Sequence, residues 1–239
     1  MSTTSRSAAL VLGLFLLLGL GALGALLGHA ALRFKAMERT VTVKGLSERE
    51  VPADVVLWPI QFTAADNDLV QLYEKLESQA SEIRAFLLEQ AIPAQEITVS
   101  PPAIVDRLAQ PYGGNAQVPF RYSAVQTVSV YSTGIDTVRD AISSLAELGR
   151  SGIVFKGAEY GNQTQYLFRR LNEIKPAMVE EATRNARSVA EKFAADSESR
   201  LGKIKRAHQG QFSISSRDSQ TPHMKKVRVV STVEYYLSD

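Results

Sequence analysis

Lys175-Pro-Ala-Met-Val-Glu-Glu-Ala-Thr-Arg-Asn-Ala-Arg-Ser-Val-Ala-Glu-Lys-Phe-Ala194 sets the architecture of this chain. Apolar or small residues recur at Val179, Ala182, Ala186, Val189, Ala190, Phe193 and Ala194, with charges on the opposite face. That spacing predicts an amphipathic helix. Pro176 fits its first turn, where a missing N–H leaves nothing unpaired. Gly202 suits the position just past its end. Ala182, Ala186, Ala190 and Ala194 follow one another at i, i+4. Small side chains in a line let a helix lie close on a flat partner, and a β-sheet is the partner expected.

The flanks supply the sheet. Downstream, Ile204–Ser215 and Val227–Leu237 read as strands around a turn at Ser216–His223. Upstream, Ile153–Lys156 and Gln163–Phe168 read as strands around Gly157–Asn162, and Ile135–Leu148 as a short helix closed by Gly149. Earlier still, Arg39–Gly45 alternates and is β-branched, a strand ended by glycine. Glu50–Ala65 is a longer strand, in which Pro52 and Pro59 argue for an edge or a bulge. Asp66-Asn-Asp68 offers a cap to a helix with the seam Leu69, Leu72, Tyr73, Leu76, Ala80, Ile83 and Leu87, stopped at Ala91-Ile-Pro93. A third strand starts at Ile97 and extends through Ile104 and Val105. Leu108–Pro119, with Pro111, Gly113 and Gly114, is a loop. Phe120–Ser132 is a strand.

In order this is ββαββ, a helix, then ββαββ, which predicts an internal duplication. The pseudo-repeats cover about residues 39–132 and 152–237, linked by the helix 135–148. Ala124-Val-Gln-Thr-Val-Ser-Val-Tyr131 and Val229-Val-Ser-Thr-Val-Glu-Tyr-Tyr236 are their matching closing strands. The fold class expected is α+β (mixed α/β), with helices on one face of the sheets.

Ahead of this body, Ala8–Gly28 carries no charged side chain. About 20 apolar residues are what a helix needs to cross a bilayer. Residues 1–35 therefore form a segment apart from the body at 36–239. A cleaved signal with Gly28-His-Ala30 as its site competes with an uncleaved anchor. The run exceeds the ~7–15 apolar residues of an ordinary signal, which favours the anchor. Gly24 and Gly28 form a GxxxG pair, a spacing that a span rich in leucine, glycine and alanine also produces without meaning. Arg33, Lys35 and Arg39 outnumber Arg6 and the α-amine, which by a simple count leaves the body in the cytoplasm. A short basic start before an apolar run resembles an export signal instead, and export to the periplasm is the expectation adopted.

The 239 residues carry a formal net charge of +2 and no cysteine. Disulfides, thiolate catalysis and Cys-based metal sites are excluded, and no basic stripe points to nucleic acid. There is no HExxH, GxSxG or P-loop, so the corresponding metallopeptidase, hydrolase and P-loop nucleotide readings have no support. His208 and His223 are brought together only if a hairpin pairs them, and a surface role suits them better. Asp54, beside Pro52, is an acid at a strand start, for which a turn or cap role is the simpler reading. Glu180 and Glu181 sit near a helix start, where the helix dipole favours them. Trp58 suits core packing, and only one of Tyr235 and Tyr236 can face a core. No catalytic, cofactor or metal residue is assigned.

In order and spacing, several segments resemble the SIMPL-domain (DUF541) family. They are Val41-Thr-Val-Lys-Gly45 with Val51-Pro-Ala-Asp54, then Tyr122-Ser-Ala-Val-Gln-Thr-Val-Ser-Val130 before a short helix. Gly152-Ile-Val-Phe155 and the alanine ladder running into Leu201-Gly202 complete the set. Gly45-Leu-Ser-Glu-Arg49 is poorer in glycine than the family pattern, and Leu108–Pro119 looks like an inserted loop. The resemblance implies export, an α/β fold, large ring-like or channel-like homo-oligomers and an association with oxidative stress, with no established catalytic residues. The expectation is a membrane-anchored, periplasm-facing, non-enzymatic oligomeric scaffold without cofactors. A ligand-binding or hydrolytic enzyme using acids such as Asp54, and a cytoplasm-facing adaptor, are the alternatives.

Overall fold

A computed structural model describes residues 3–36, 39–109, 119–157 and 163–238. The expected loop over Leu108–Pro119 and most of the turn over Gly157–Asn162 fall outside these residues. The fold is α+β, with four α-helices and two sheets. Helix α1 (Thr3–Ala36) precedes everything else, and Leu10–Ala31 within it is long and apolar enough to cross a membrane. None of that stretch is buried against the protein.

The elements that follow α1 are β1 (Thr40–Pro52), β2 (Val55–Asp66), α2 (Leu69–Glu89), β3 (Ile97–Val99), β4 (Ala103–Asp106) and β5 (Tyr122–Ser132). Then come α3 (Ile135–Arg150), β6 (Val154–Phe155), β7 (Gln165–Leu167), α4 (Leu171–Asp196), β8 (Arg200–Gln209), β9 (Ser213–Ser216) and β10 (Met224–Ser238). After α1 the order is ββαβββ, α3, ββαβββ. Pro101-Pro102 splits the expected third strand into β3 and β4, because proline removes ladder donors. The expected Ile204–Ser215 strand divides at Gly210, whose N–H bonds to the Val230 carbonyl at 2.8 Å.

The chain forms two compact units. The first contains residues 1–48, 175–213 and 228–239. Its sheet has the order β1-β10-β8, with β9 also on β10. Helix α4 covers one face through Met178, Ala182, Ala186, Ala190 and Ala194, all buried. Val43, Val233 and Tyr235 meet this ladder from the sheet. Gly45 does not end a strand, contrary to expectation. It lies in the middle of β1, where a Cβ would run into the Ala182 carbonyl oxygen and the Ala186 nitrogen and lie 2.9 Å from Ala186 Cβ. Ser47 Oγ then donates to Glu181 at 3.0 Å, and Asn185 Nδ2 donates to the Leu46 carbonyl at 2.8 Å. The alanine line and Met178 supply the buried side chains of the helix. Val189 and Phe193, expected on the seam, remain 38% and 54% exposed.

Both ends of α4 differ from expectation. It begins at Leu171, so Pro176 is inside the helix. It stops at Asp196 because Glu198 adopts φ 52°, which lets Ser199 N–H reach the Ala194 carbonyl at 2.8 Å. Gly202 instead lies in β8, with its α-carbon pressed on Tyr236: a Cβ there would meet the Tyr236 carbonyl oxygen at 3.0 Å.

The second unit contains residues 49–174 and 214–227. Its sheet runs β3-β5-β2-β6, with β4 on β5 and β7 on β2. Trp58, Ile60, Phe62, Val128 and Val130 project from one face into a core closed by α2 and α3. Asp68 caps α2 through the N–H groups of Val70 and Gln71, at 2.7 and 3.1 Å. Pro59 is tolerated because β7 pairs with residues 55–57 and β6 with residues 62–63. Among the described residues only β5 accompanies β2 at Pro59. Helix α3 runs through Gly149, and Gly152, at φ +95°, is the glycine that turns the chain.

The close approach of α4 to β1 gives the first prediction. Gly45→Ala forces apart two backbones already in contact and destabilises the protein by about 1–3 kcal/mol. Leu46→Ala, on the opposite face of the same strand, changes stability far less. Denaturant midpoints of the two variants check this.

Candidate functional site

Asp54 is held by the turn between β1 and β2. Ala53 N–H donates to the His223 carbonyl and Asp54 N–H to the Leu167 carbonyl, both at 2.8 Å. The Asp54 carboxylate accepts the Arg169 N–H at 2.9 Å and the Arg170 N–H at 3.0 Å. It also pairs with Arg170 Nε at 3.4 Å, with its side chain 14% exposed. Arg169 Nη1 donates to the Tyr131 hydroxyl at 2.6 Å. One short turn therefore fastens two distant segments, and Asp54 satisfies two backbone donors just ahead of α4. Both oxygens accept bonds within this knot, which accounts for the acid through structure.

Beside the knot lies a cleft of about 380 Å³, lined by Pro52, Ala53, Thr133, Gly134, Asp136 and His223 among others. It holds the start of α3, whose cap position is Gly134 with no side-chain cap. The His223 ring meets Tyr166 edge to face, with centroids 6.0 Å apart. Burial holds the imidazole below its usual pKa, and Arg139 repels its charged form. Among the described residues no hydrogen bond joins this ring to Asp136, Thr133 or Thr137. Asp136 instead takes a bond from Arg139 at 3.3 Å. The cleft thus brings together an imidazole, a carboxylate and two hydroxyls.

The turn after β9 is built on Asp218. Its carboxylate accepts from Gln220 N–H at 2.8 Å, Thr221 N–H at 2.6 Å and Arg217 Nε at 2.9 Å. Bonds from Thr221 and Arg217 hold its pKa well below the usual carboxylate range. Lys225, on the inward face of β10, is buried and donates to Ser216 Oγ at 3.0 Å. Burial pushes its pKa down. Composition alone does not reveal Lys225, because β10 reads as alternating whichever face is inside.

The remaining candidates separate. His208 stands on exposed β8 opposite Thr232, not opposite His223. Among the described residues no group of three histidines or carboxylates is placed to hold a metal. Trp58 is in the core. Tyr235 is buried and Tyr236 exposed. Glu180 pairs with Arg184 on the solvent side of α4 at 3.3 Å.

Two predictions follow from this geometry. Asp54→Ala leaves two backbone N–H groups without their acceptor and lowers stability by about 1–3 kcal/mol, and Asp54→Asn by less; urea unfolding measures both. For His223 the folded pKa lies below the unfolded value near ~6.5. The unfolded chain therefore binds the proton more readily, and stability falls as pH drops through ~6.5 towards the folded pKa. His223→Gln removes this contribution. The check is the slope of unfolding free energy between about pH 7 and 5.

Residues 41–235 match the SIMPL family model, described as a protein of unknown function (DUF541). No curated protein gives a significant match to the chain. The matched span runs from β1 into β10 and takes in the Asp54 knot, Gly45 and the alanine ladder. The chain therefore belongs to the SIMPL (DUF541) family.

Proposed function

We propose that this protein is a single-pass, membrane-anchored scaffold with its body in the periplasm, acting by self-association and not by catalysis. The observation that carries the reading is Leu10–Ala31, a continuous apolar helix with none of its surface covered by the protein. Such a surface is stable in lipid, where the helix also satisfies its own backbone. The body adds a reason for self-association. β1 and β8 are the outer strands of the β1-β10-β8 path, and among the described residues each pairs only with β10. Unpaired strand edges are templates for further pairing. Val189 and Phe193 on α4 and Ile204 on β8 are exposed in the same unit, as interface residues would be before a partner covers them.

The non-enzymatic reading rests on the fate of Asp54, whose carboxylate is committed to the 169–170 backbone. A role in envelope or oxidative-stress tolerance is carried by family membership alone. The experiment is the native mass of the full chain extracted from membranes, together with a phosphatase reporter fused after Lys35. Retained residues 1–30, a multiple of the chain mass and periplasmic reporter activity are expected. A monomer at high concentration removes the scaffold, and an inactive reporter reverses the orientation.

A further inference from the structure

We propose that the cleft at the Ala64–Ala124 end of the six-stranded sheet binds a small amphiphilic organic acid that carries an N–H or O–H donor. An N-acylated amino acid is the type. The site is separate from the Asp54 knot, and the proposal does not depend on the scaffold reading.

The cleft has a volume of about 430 Å³, within the ~300–1,000 Å³ of small-molecule sites. Its walls come from α2, β2, β5 and the turn between α3 and β6. Charge selects the sign of the ligand. Lys75 and Arg107 line the cleft, and among the described residues no carboxylate does. The acids that neighbour it in sequence are engaged elsewhere. Asp66 accepts its own turn's N–H groups from Asn67 and Asp68 at 2.7 and 3.2 Å. Asp106 pairs with Arg121 at 3.0 Å. Arg107 Nε is fixed on Ser123 Oγ at 3.2 Å, which positions the guanidinium and leaves its two terminal nitrogens for an anion.

A buried amide selects the donor. Gln79 is one turn along α2 from Lys75, so both side chains lie on one side of the helix. It occupies a core-facing position in line with Leu72, Leu76 and Ile83, and is only 8% exposed. Its Oε1 has no hydrogen-bond partner. A buried acceptor left unpaired is unfavourable, and a polar residue in a leucine seam is explained if a ligand donor satisfies it. Gln79 itself lines the cleft. The apolar portion of the ligand is met by Ala64 and by Phe120 and Val154, the last two largely exposed at the rim.

The test uses the full chain in nanodiscs and three probes: N-acetylphenylalanine, phenylacetate, which lacks the N–H, and N-acetylphenylalanine amide, which lacks the carboxylate. Calorimetric titration is expected to show N-acetylphenylalanine binding at least about tenfold more tightly than either other probe. Lys75→Gln with Arg107→Gln, both exposed and expected to fold, reduces that affinity to the level of the amide probe. Gln79→Leu reduces it to the level of phenylacetate, leaves phenylacetate binding unchanged and raises the melting temperature of the ligand-free protein. Equal binding of all three probes, no saturable binding, or unchanged affinity in the charge-neutral variant overturns the proposal. The melting temperature of the charge-neutral variant, expected to equal the parent's, separates lost binding from lost folding.

Discussion

The backbone of β1 touches the backbone of α4 at Gly45, and much of the first unit follows from that contact. A helix normally stands off a sheet by the thickness of two layers of side chains. Here one layer is missing on each side: glycine on the strand, alanine on the helix. The apolar area gained per residue is small, so the stabilisation depends on shape rather than on bulk. It also explains why the polar contacts at the two flanks matter. Ser47 to Glu181 and Asn185 to the Leu46 carbonyl fix the register of the helix along the strand. Along the four alanines the helix has no large side chain to do that.

The second unit is held differently. Its core is conventional, with Trp58, Phe62 and the α2 seam filling a thick layer. Its special feature is the knot at Asp54, where a single carboxylate and two backbone bonds gather the 167–170 segment and His223 around the β1–β2 turn. The acid that resembles a catalytic group in the sequence is a fastener in the structure. The Asp54 oxygens accept backbone bonds, whereas Gln79 Oε1 has no hydrogen-bond partner. Structural satisfaction, rather than residue type, separates the two.

Much of this was legible in the residues. The alanine ladder implied a closely laid helix, and the α2 seam gave Leu72, Leu76, Ile83 and Leu87 as core. What local pattern missed has a common physical cause: it depends on what another segment brings. Gly45 reads as a strand terminator until α4 is known to lie on it. Gly149 and Gly152 are both plausible helix closers, and only Gly152 takes the positive φ. Pro59 reads as an edge residue and lies in a strand with neighbours on both sides, and among the described residues those on one side pair with 55–57 and 62–63 and not with Pro59. Val189 and Phe193 have the right period for a seam, but a helix resting on alanines cannot bring its flanking residues down onto the same sheet. Gln79 was passed over because hydrophobic periodicity assigns faces by apolar residues and ignores a polar one among them.

The order of elements repeats, and the pairing of strands does not follow it. β1 and β2 are consecutive, yet β2 joins β5 while β1 joins β10 at the far end of the chain. The sheet containing β2 can form from residues that are mostly close in sequence. The sheet containing β1 has to wait for the last strand, and loop closure over nearly the whole body opposes it. β1 is also the first element after the apolar helix. In synthesis from the N-terminus, its Thr-Val-Thr-Val run is therefore made first and paired last. A β-branched strand that waits for its partner needs protection from unwanted pairing, and Lys44, Glu48 and Glu50 along it supply charge. The glycine that lets α4 settle is in that same strand. The closure of β1 on β10 and the tight seating of α4 thus share one strand, and the first unit needs both contacts.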